Sequence, residues 1–169
     1  DGLREPFLDT IRAAAETGAR VVIISDHADD YLTPPPLYAK YCVPVYQEAC
    51  AILHQAGKIV STHVDGNLRG LLPLFPKTGI DLLDGCTPAP MSNYAVRGLG
   101  QALGDRLHAY CGIPSSLFMG NWIESEILAF AEQIEQESRG RMILNVGDIL
   151  SPEGKIEPVI RLGEWARGW

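Results

Sequence analysis

Short apolar runs alternate with amphipathic helical patterns along this chain, and this alternation restricts the fold more than any other feature. Five runs have the length and apolar content of buried strands, namely residues 20–25, 58–64, 80–83, 107–112 and 142–145. Helical spacing of apolar residues follows each run, and a further helix is predicted over residues 3–17. Strands that alternate with helices form a parallel sheet with right-handed crossovers, so the sequence predicts an α/β fold.

Two architectures agree with five strand–helix units. One is a doubly wound five-stranded sheet, and the other is the C-terminal portion of a (β/α)8 TIM-type barrel. Five units in 169 residues average about 34 residues each, so eight units would need about 270, close to a typical barrel. The first strand is followed by an acidic segment, residues 26–30, that would repel a dinucleotide phosphate. We therefore favour the barrel portion, with residues 1–169 as a single domain.

Composition disfavours several classes of partner. Fourteen basic against 21 acidic residues give a net charge of −7, which argues against nucleic acid and anionic membrane surfaces. No apolar run approaches the length of a membrane span. The four cysteines are scattered and form no C-x-x-C pair, which is typical of reduced thiols, so we expect a cytoplasmic protein.

Polar and ionisable residues are concentrated directly after the predicted strands. In a parallel barrel these positions share the carboxyl edge of the sheet, where enzymes of this architecture carry their active sites. The pattern therefore predicts an enzyme or a ligand-binding protein. The predicted catalytic residues are Asp26, His27, His63 and Asp65, and the predicted substrate-binding residues are Asn67, Arg69, Ser115 and Asn145.

His63 and Asp65 are two positions apart at the end of a predicted strand, so their side chains should point to the same face. With Asp148, after the last strand, they offer one imidazole and two carboxylates, a set that suits zinc or iron. The alternative is a metal-free pocket in which Asp65 orients His63 for acid–base chemistry. Asp29 and Asp30 are expected to be solvated loop charges.

A series of short motifs resembles the uroporphyrinogen decarboxylase superfamily. The motifs are Ser25-Asp26-His27-Ala28, Leu32-Thr33-Pro34, His63-Val64-Asp65-Gly66-Asn67, Gly79-Ile80-Asp81, Gly112-Ile113-Pro114 and Asn145-Val146-Gly147-Asp148. They extend over nearly the whole chain. The resemblance implies an eight-fold β/α barrel, of which this chain corresponds to the C-terminal half or slightly more.

The resemblance implies two chemistries. Decarboxylases of the superfamily remove carboxyl groups from a tetrapyrrole without a metal or organic cofactor, and they have a histidine where Asp148 stands. Corrinoid-linked methyltransferases hold zinc with a histidine that matches His63 and with two cysteines, where this chain has Asp65 and Asp148. We therefore expect a divergent carboxy-lyase acting on a tetrapyrrole. A zinc-dependent methyltransferase with a corrinoid-linked substrate is the alternative, and a non-catalytic binding domain is the third possibility.

A barrel portion of this size should have open sheet edges and exposed apolar surface. We therefore expect it either to form a homo-oligomer or to pair with the rest of a barrel. Part of the pocket would be missing from such a portion, so we expect it to be inactive by itself.

Overall fold

A computed structural model of the chain describes residues 2–147 and 149–168, so the predicted metal ligand Asp148 lies outside the described residues. Five parallel strands form one sheet in the order β1-β2-β3-β4-β5. The strands are β1 (Val21–Ala28), β2 (Ile59–Val64), β3 (Leu82–Cys86), β4 (His108–Pro114) and β5 (Met142–Gly147). Every strand pairs with its neighbour in the chain, without the reversal of order that defines a doubly wound sheet. The predicted α/β fold and partial barrel arrangement are confirmed.

Helices connect the strands and cover one side of the sheet. They are α1 (Arg4–Ala15), α2 (Pro35–Leu37), α3 (Val43–Gln55), α4 (Val96–Ala102), α5 (Glu124–Ser138) and α6 (Ile156–Ala166). A π-helical segment, Tyr38–Cys42, joins α2 to α3, and short 3-10 helices span Phe75–Lys77 and Ser115–Phe118. Over the described ranges, no helix has both the length and the apolar character that crossing a bilayer requires.

The two faces of the sheet differ sharply in burial. On the face toward the helices, Ile24, Val60 and Leu83 are almost fully buried. On the opposite face, Ile23 and Ile143 are 56% and 45% exposed. We call this second side the open face; strand register and alternation assign to it Val21, Ile23, His27, Ile59, Ser61, His63, Leu82, Asp84, His108, Tyr110, Ile143 and Asn145. In a complete barrel the open face lines the interior.

Two strand boundaries differ from the predicted ones. β3 begins at Leu82 rather than at residue 80; at this end the Val60 N–H donates to the Asp81 carboxylate, at 2.8 Å, and not to a backbone carbonyl of the neighbouring strand. β1 continues to Ala28 rather than ending at residue 25, because Ala28 pairs with Val64 beyond an irregularity in the ladder. The longer β1 places His27 within a strand and not in a loop.

Candidate functional site

His27, His63 and Asp65 converge at the carboxyl ends of β1 and β2, and we call these three residues the histidine cluster. One ligand atom from each lies within 4.8 Å of the other two. The His27 Nδ1 atom is 3.9 Å from Asp65 Oδ2, and the two imidazole rings meet edge to face with centroids 5.8 Å apart. The His27 and Asp65 side chains are 75% and 57% exposed, so the cluster is open to solutes.

Strand register explains why these side chains meet. Ala28 pairs with Val64, and both are buried toward the helices. Side chains alternate along a strand, so His27 on one strand and His63 on the other point to the opposite, open face. The predicted placement of His63 and Asp65 together is what the structure shows. His27, predicted as a catalytic residue, joins them.

Asp84 lies behind His63. The two residues are directly paired in the β2–β3 register, and Asp84 Oδ2 is 3.1 Å from His63 Nδ1. A carboxylate on one ring nitrogen fixes the imidazole orientation and leaves Nε2 available to a ligand. Gly85 lets the ring approach, because a Cβ there would lie 2.8 Å from His63 Cε1. The sequence placed Asp84 at this edge but gave it no role, since its pairing with His63 depends on register.

Asp29 ties together the loops that follow β1 and β2. Its Oδ1 accepts the backbone N–H of Tyr31 at 2.7 Å, and its Oδ2 accepts that of Asn67 at 2.7 Å. Gly66 makes the second bond possible, because a Cβ there would lie 2.5 Å from Asp29 Oδ2. Burial would raise the pKa of Asp29, but hydrogen bonds from Asn67, Tyr31 and Leu32 outweigh it and lower the pKa below its usual value.

Asp30 has a similar structural role. Its Oδ2 accepts the Gly70 N–H at 3.0 Å and a hydrogen of Asn93 Nδ2 at 3.1 Å. The expectation that Asp29 and Asp30 are solvated loop charges was therefore wrong. Backbone N–H groups in the loops after the strands have no partner in the sheet, and the carboxylates of Asp29 and Asp30 accept their hydrogen bonds.

Asp26 does not join the histidine cluster. Its Oδ2 accepts a hydrogen bond of 2.8 Å from the hydroxyl of Tyr46 on α3. The same hydroxyl is 3.1 Å from Thr62 Oγ1, so Asp26 belongs to a polar contact on the helix side of the sheet. Adjacent strand residues point to opposite faces, which separates Asp26 from His27. The predicted catalytic role of Asp26 stays a prediction without the expected neighbours.

The predicted substrate-binding residues are dispersed. Asn67 lies against Asp29, and the Nε–H of Arg69 donates to the Asn93 carbonyl at 2.7 Å. Ser115 is buried, with its Oγ 3.4 Å from a methionine sulfur. Asn145 is on the open face of β5, and its buried Oδ1 finds no hydrogen-bond partner among residues 2–147 and 149–168. Their substrate contacts remain predictions.

Two buried thiols lie near this edge. Cys86 and Cys111 are paired in register on β3 and β4, and both are almost fully buried. Burial raises the pKa of Cys111 to about 12 and raises the pKa of Cys86 well above its ordinary value. Both therefore remain protonated near neutral pH in the metal-free chain.

Comparison with known proteins decides the family. The family model described as uroporphyrinogen decarboxylase matches residues 3–169. The chain belongs to the uroporphyrinogen decarboxylase family. Among solved structures, a methyltransferase from Methanosarcina mazei superposes with a TM-score of 0.70 at 18% sequence identity. The alignment covers 95% of this chain and 45% of that methyltransferase, so the chain spans less than half of its length. No significant match is found among curated proteins.

Proposed function

We propose that this chain is part of a metal-dependent methyltransferase of the uroporphyrinogen decarboxylase family, with zinc as the metal and a thiol as the methyl acceptor. The observation that carries the proposal is the convergence of His27, His63 and Asp65 within 4.8 Å. Two imidazoles and one carboxylate are ligands that zinc accepts, with a position left for substrate. The fold shared with the Methanosarcina methyltransferase supports this branch of the family.

The surroundings of the histidine cluster fit a metal. Asp84 orients His63 from behind, as carboxylates do for histidines that bind metals. Asp29 accepts hydrogen bonds from both loops beside His27 and Asp65, so these loops hold the candidate metal-binding side chains in fixed positions. Asp148, predicted as the third ligand, lies outside the described residues, and its role as a ligand stays a prediction.

Zinc bound at this site would lower the pKa of a coordinated thiol and present it as the nucleophilic thiolate. The chain itself supplies orientation and access. His63 has a fixed tautomer because Asp84 occupies Nδ1. A concavity of about 380 Å3 adjoins His27 and Asp65 and is bordered by Tyr31 and Leu32, which gives a substrate apolar contact beside the ligands.

A carboxy-lyase acting on a tetrapyrrole is less well supported. Such a substrate carries several carboxylates, and its recognition calls for arginine or lysine. Within the described part of the chain, the open face presents the carboxylates of Asp65 and Asp84 and no lysine or arginine. The main support for decarboxylation, which would proceed without a metal, is that the family is named for uroporphyrinogen decarboxylase.

Zinc affinity tests the proposal. The chain is titrated with zinc against a chelating chromophore, and with cobalt for its visible absorption bands. We expect His27→Ala, His63→Ala and Asp65→Ala each to weaken binding. His108→Ala is the matched control, because His108 is an exposed histidine at the amino end of β4. If the wild-type chain binds zinc no more tightly than the cluster variants, the metal-dependent function is rejected, and decarboxylation or simple ligand binding takes its place.

A further inference from the structure

A groove of about 620 Å3 lies between the segment after β2 and helix α4. Leu72, Pro73 and Ala102 are among its apolar lining residues, and Arg69, Tyr94 and Gln101 carry its polar groups. It shares no lining residue with the concavity beside the histidine cluster. A concave apolar surface of this volume with a few polar groups has the character of a small-molecule site.

Arg69 is fixed at this groove by Asn93. The Asn93 carbonyl accepts the Arg69 Nε–H at 2.7 Å, and Asn93 Oδ1 accepts the backbone N–H groups of Leu68 and Arg69 at 3.0 Å each. Asn93 is itself anchored by Asp30. The guanidinium is therefore oriented before any ligand arrives, which reduces the entropy lost on binding.

The terminal nitrogens of Arg69 retain their capacity to bind an anion. Within residues 2–147 and 149–168, Arg4, Arg12, Arg141 and Arg161 form ion pairs with acidic side chains, and Arg69 forms none. Asp30 lies in the same hydrogen-bond network, but it is bonded to Gly70 and Asn93 and forms no ion pair with Arg69, so the guanidinium is a fixed positive group in a chain with a net charge of −7. Guanidinium binds carboxylate in a two-pronged, charge-assisted geometry.

We propose that this groove binds a small amphipathic monocarboxylate, with its carboxylate on Arg69 and its apolar tail on Leu72, Pro73 and Ala102. A single arginine balances one negative charge, which favours a monoanion over a phosphate dianion near an acidic protein. Gln101 supplies a second hydrogen-bond donor. This site is separate from the proposed metal centre and does not depend on it.

The probe is 4-phenylbutyrate, titrated into the isotopically labelled chain and followed by NMR shifts and calorimetry. We expect shifts at Leu72 and Ala102 but not at His27 or His63. Acetate, which lacks the tail, and 4-phenylbutyramide, which lacks the charge, should each bind at least about tenfold more weakly, because each loses one half of the contact.

Two variants test the two parts of the proposed site, the charge of Arg69 and the open apolar space of the groove. Arg69→Gln should weaken binding of 4-phenylbutyrate at least about tenfold, as expected when a charge-assisted pair is lost. Gly98→Leu should abolish it, because a Cβ at this groove residue meets no atom within 4 Å, and we expect the longer side chain to occupy the groove. Arg97→Gln, on α4 and outside the lining, is the matched control and should bind like wild type.

Three results would overturn the proposal. They are no binding of 4-phenylbutyrate to the wild-type chain, equal binding by the wild type and Gly98→Leu, and shifts confined to the histidine cluster. If Arg69→Gln unfolds, the Gly98→Leu comparison and the shift map still decide the question. None of these results bears on zinc binding, so failure here leaves the metal centre standing.

Discussion

Replacing Gly66 with alanine tests whether Asp29 fixes the loops that carry the histidine cluster. The new Cβ would lie 2.5 Å from Asp29 Oδ2, so the carboxylate must move and its bond to the Asn67 N–H is lost. Gly57→Ala is a close control. Both glycines have a left-handed backbone, with φ of +74° at Gly66 and +71° at Gly57, but a Cβ at Gly57 meets nothing within 4 Å.

The difference between the two variants isolates the contact with Asp29. Left-handed strain should cost each variant about 1–2 kcal/mol in free energy of unfolding. Gly66→Ala also loses a hydrogen bond to a charged acceptor, and we assign about 1–2 kcal/mol to it because the bond is only partly buried. The melting temperature of Gly66→Ala should therefore lie about 2–8 °C below that of Gly57→Ala for a chain of this size.

Thermal and urea denaturation measure the stability difference, and zinc titration measures its consequence at the cluster. We expect Gly66→Ala to bind zinc about tenfold more weakly than wild type, as is common when a residue that supports metal ligands is lost. Gly57→Ala should bind zinc normally. Equal stability of the two glycine variants would refute the role of Asp29 in joining the loops, whatever the zinc titration shows.

Three further predictions follow from the same contacts. Because the pKa of Asp29 is depressed, its contribution to stability is complete above the usual carboxyl value of 3.8 and is lost as the pH falls below that value. In urea denaturation between about pH 5 and about pH 2, the free energy of unfolding of Asp29→Asn should therefore change less with pH than that of the wild type. Tyr46→Phe removes the donor to Asp26, so its free energy of unfolding, measured with urea, should fall by about 1–2 kcal/mol. Cys42 is partly exposed while the other three cysteines are buried, so mass spectrometry should find a thiol reagent on Cys42 first, slowly, because burial and the nearby Asp26 raise the pKa of its thiol.

The fold was predictable because its signals are local. Short apolar runs marked all five strands, helical spacing marked most of the helices, and glycines marked several of the helix ends. The helix predicted after β2 was wrong, because that segment contains turns and only the short 3-10 helix Phe75–Lys77. Strand ends were less predictable, because they depend on partners distant in sequence. The pairing of Ala28 with Val64 extends β1 past the predicted end at residue 25. Treating residues 26–30 as a loop therefore hid the alternation that sends Asp26 and His27 to opposite faces.

The roles of the acidic residues show the limit of counting charges at a sheet edge. Asp26, Asp29, Asp30, Asp65 and Asp84 all follow predicted strands, and the sequence led us to predict catalytic roles for Asp26 and Asp65 and solvated charges for Asp29 and Asp30. In the structure, Asp26 accepts a hydrogen bond from Tyr46, while Asp29 and Asp30 accept hydrogen bonds from backbone N–H groups far along the chain. The N–H of Gly70, for example, is 40 residues from Asp30.

Carboxylates with such partners already use oxygen lone pairs in hydrogen bonds and have fewer left for a ligand. Asp65 is different, because within the described residues its carboxylate forms no hydrogen bond, and the His27 Nδ1 atom at 3.9 Å is too far away for one. The 3.9 Å separation between His27 Nδ1 and Asp65 Oδ2, both on exposed side chains, suits a metal ion bound by both atoms better than a direct hydrogen bond. The histidine cluster is therefore the part of this edge whose ligand atoms remain available, which supports assigning the metal to it.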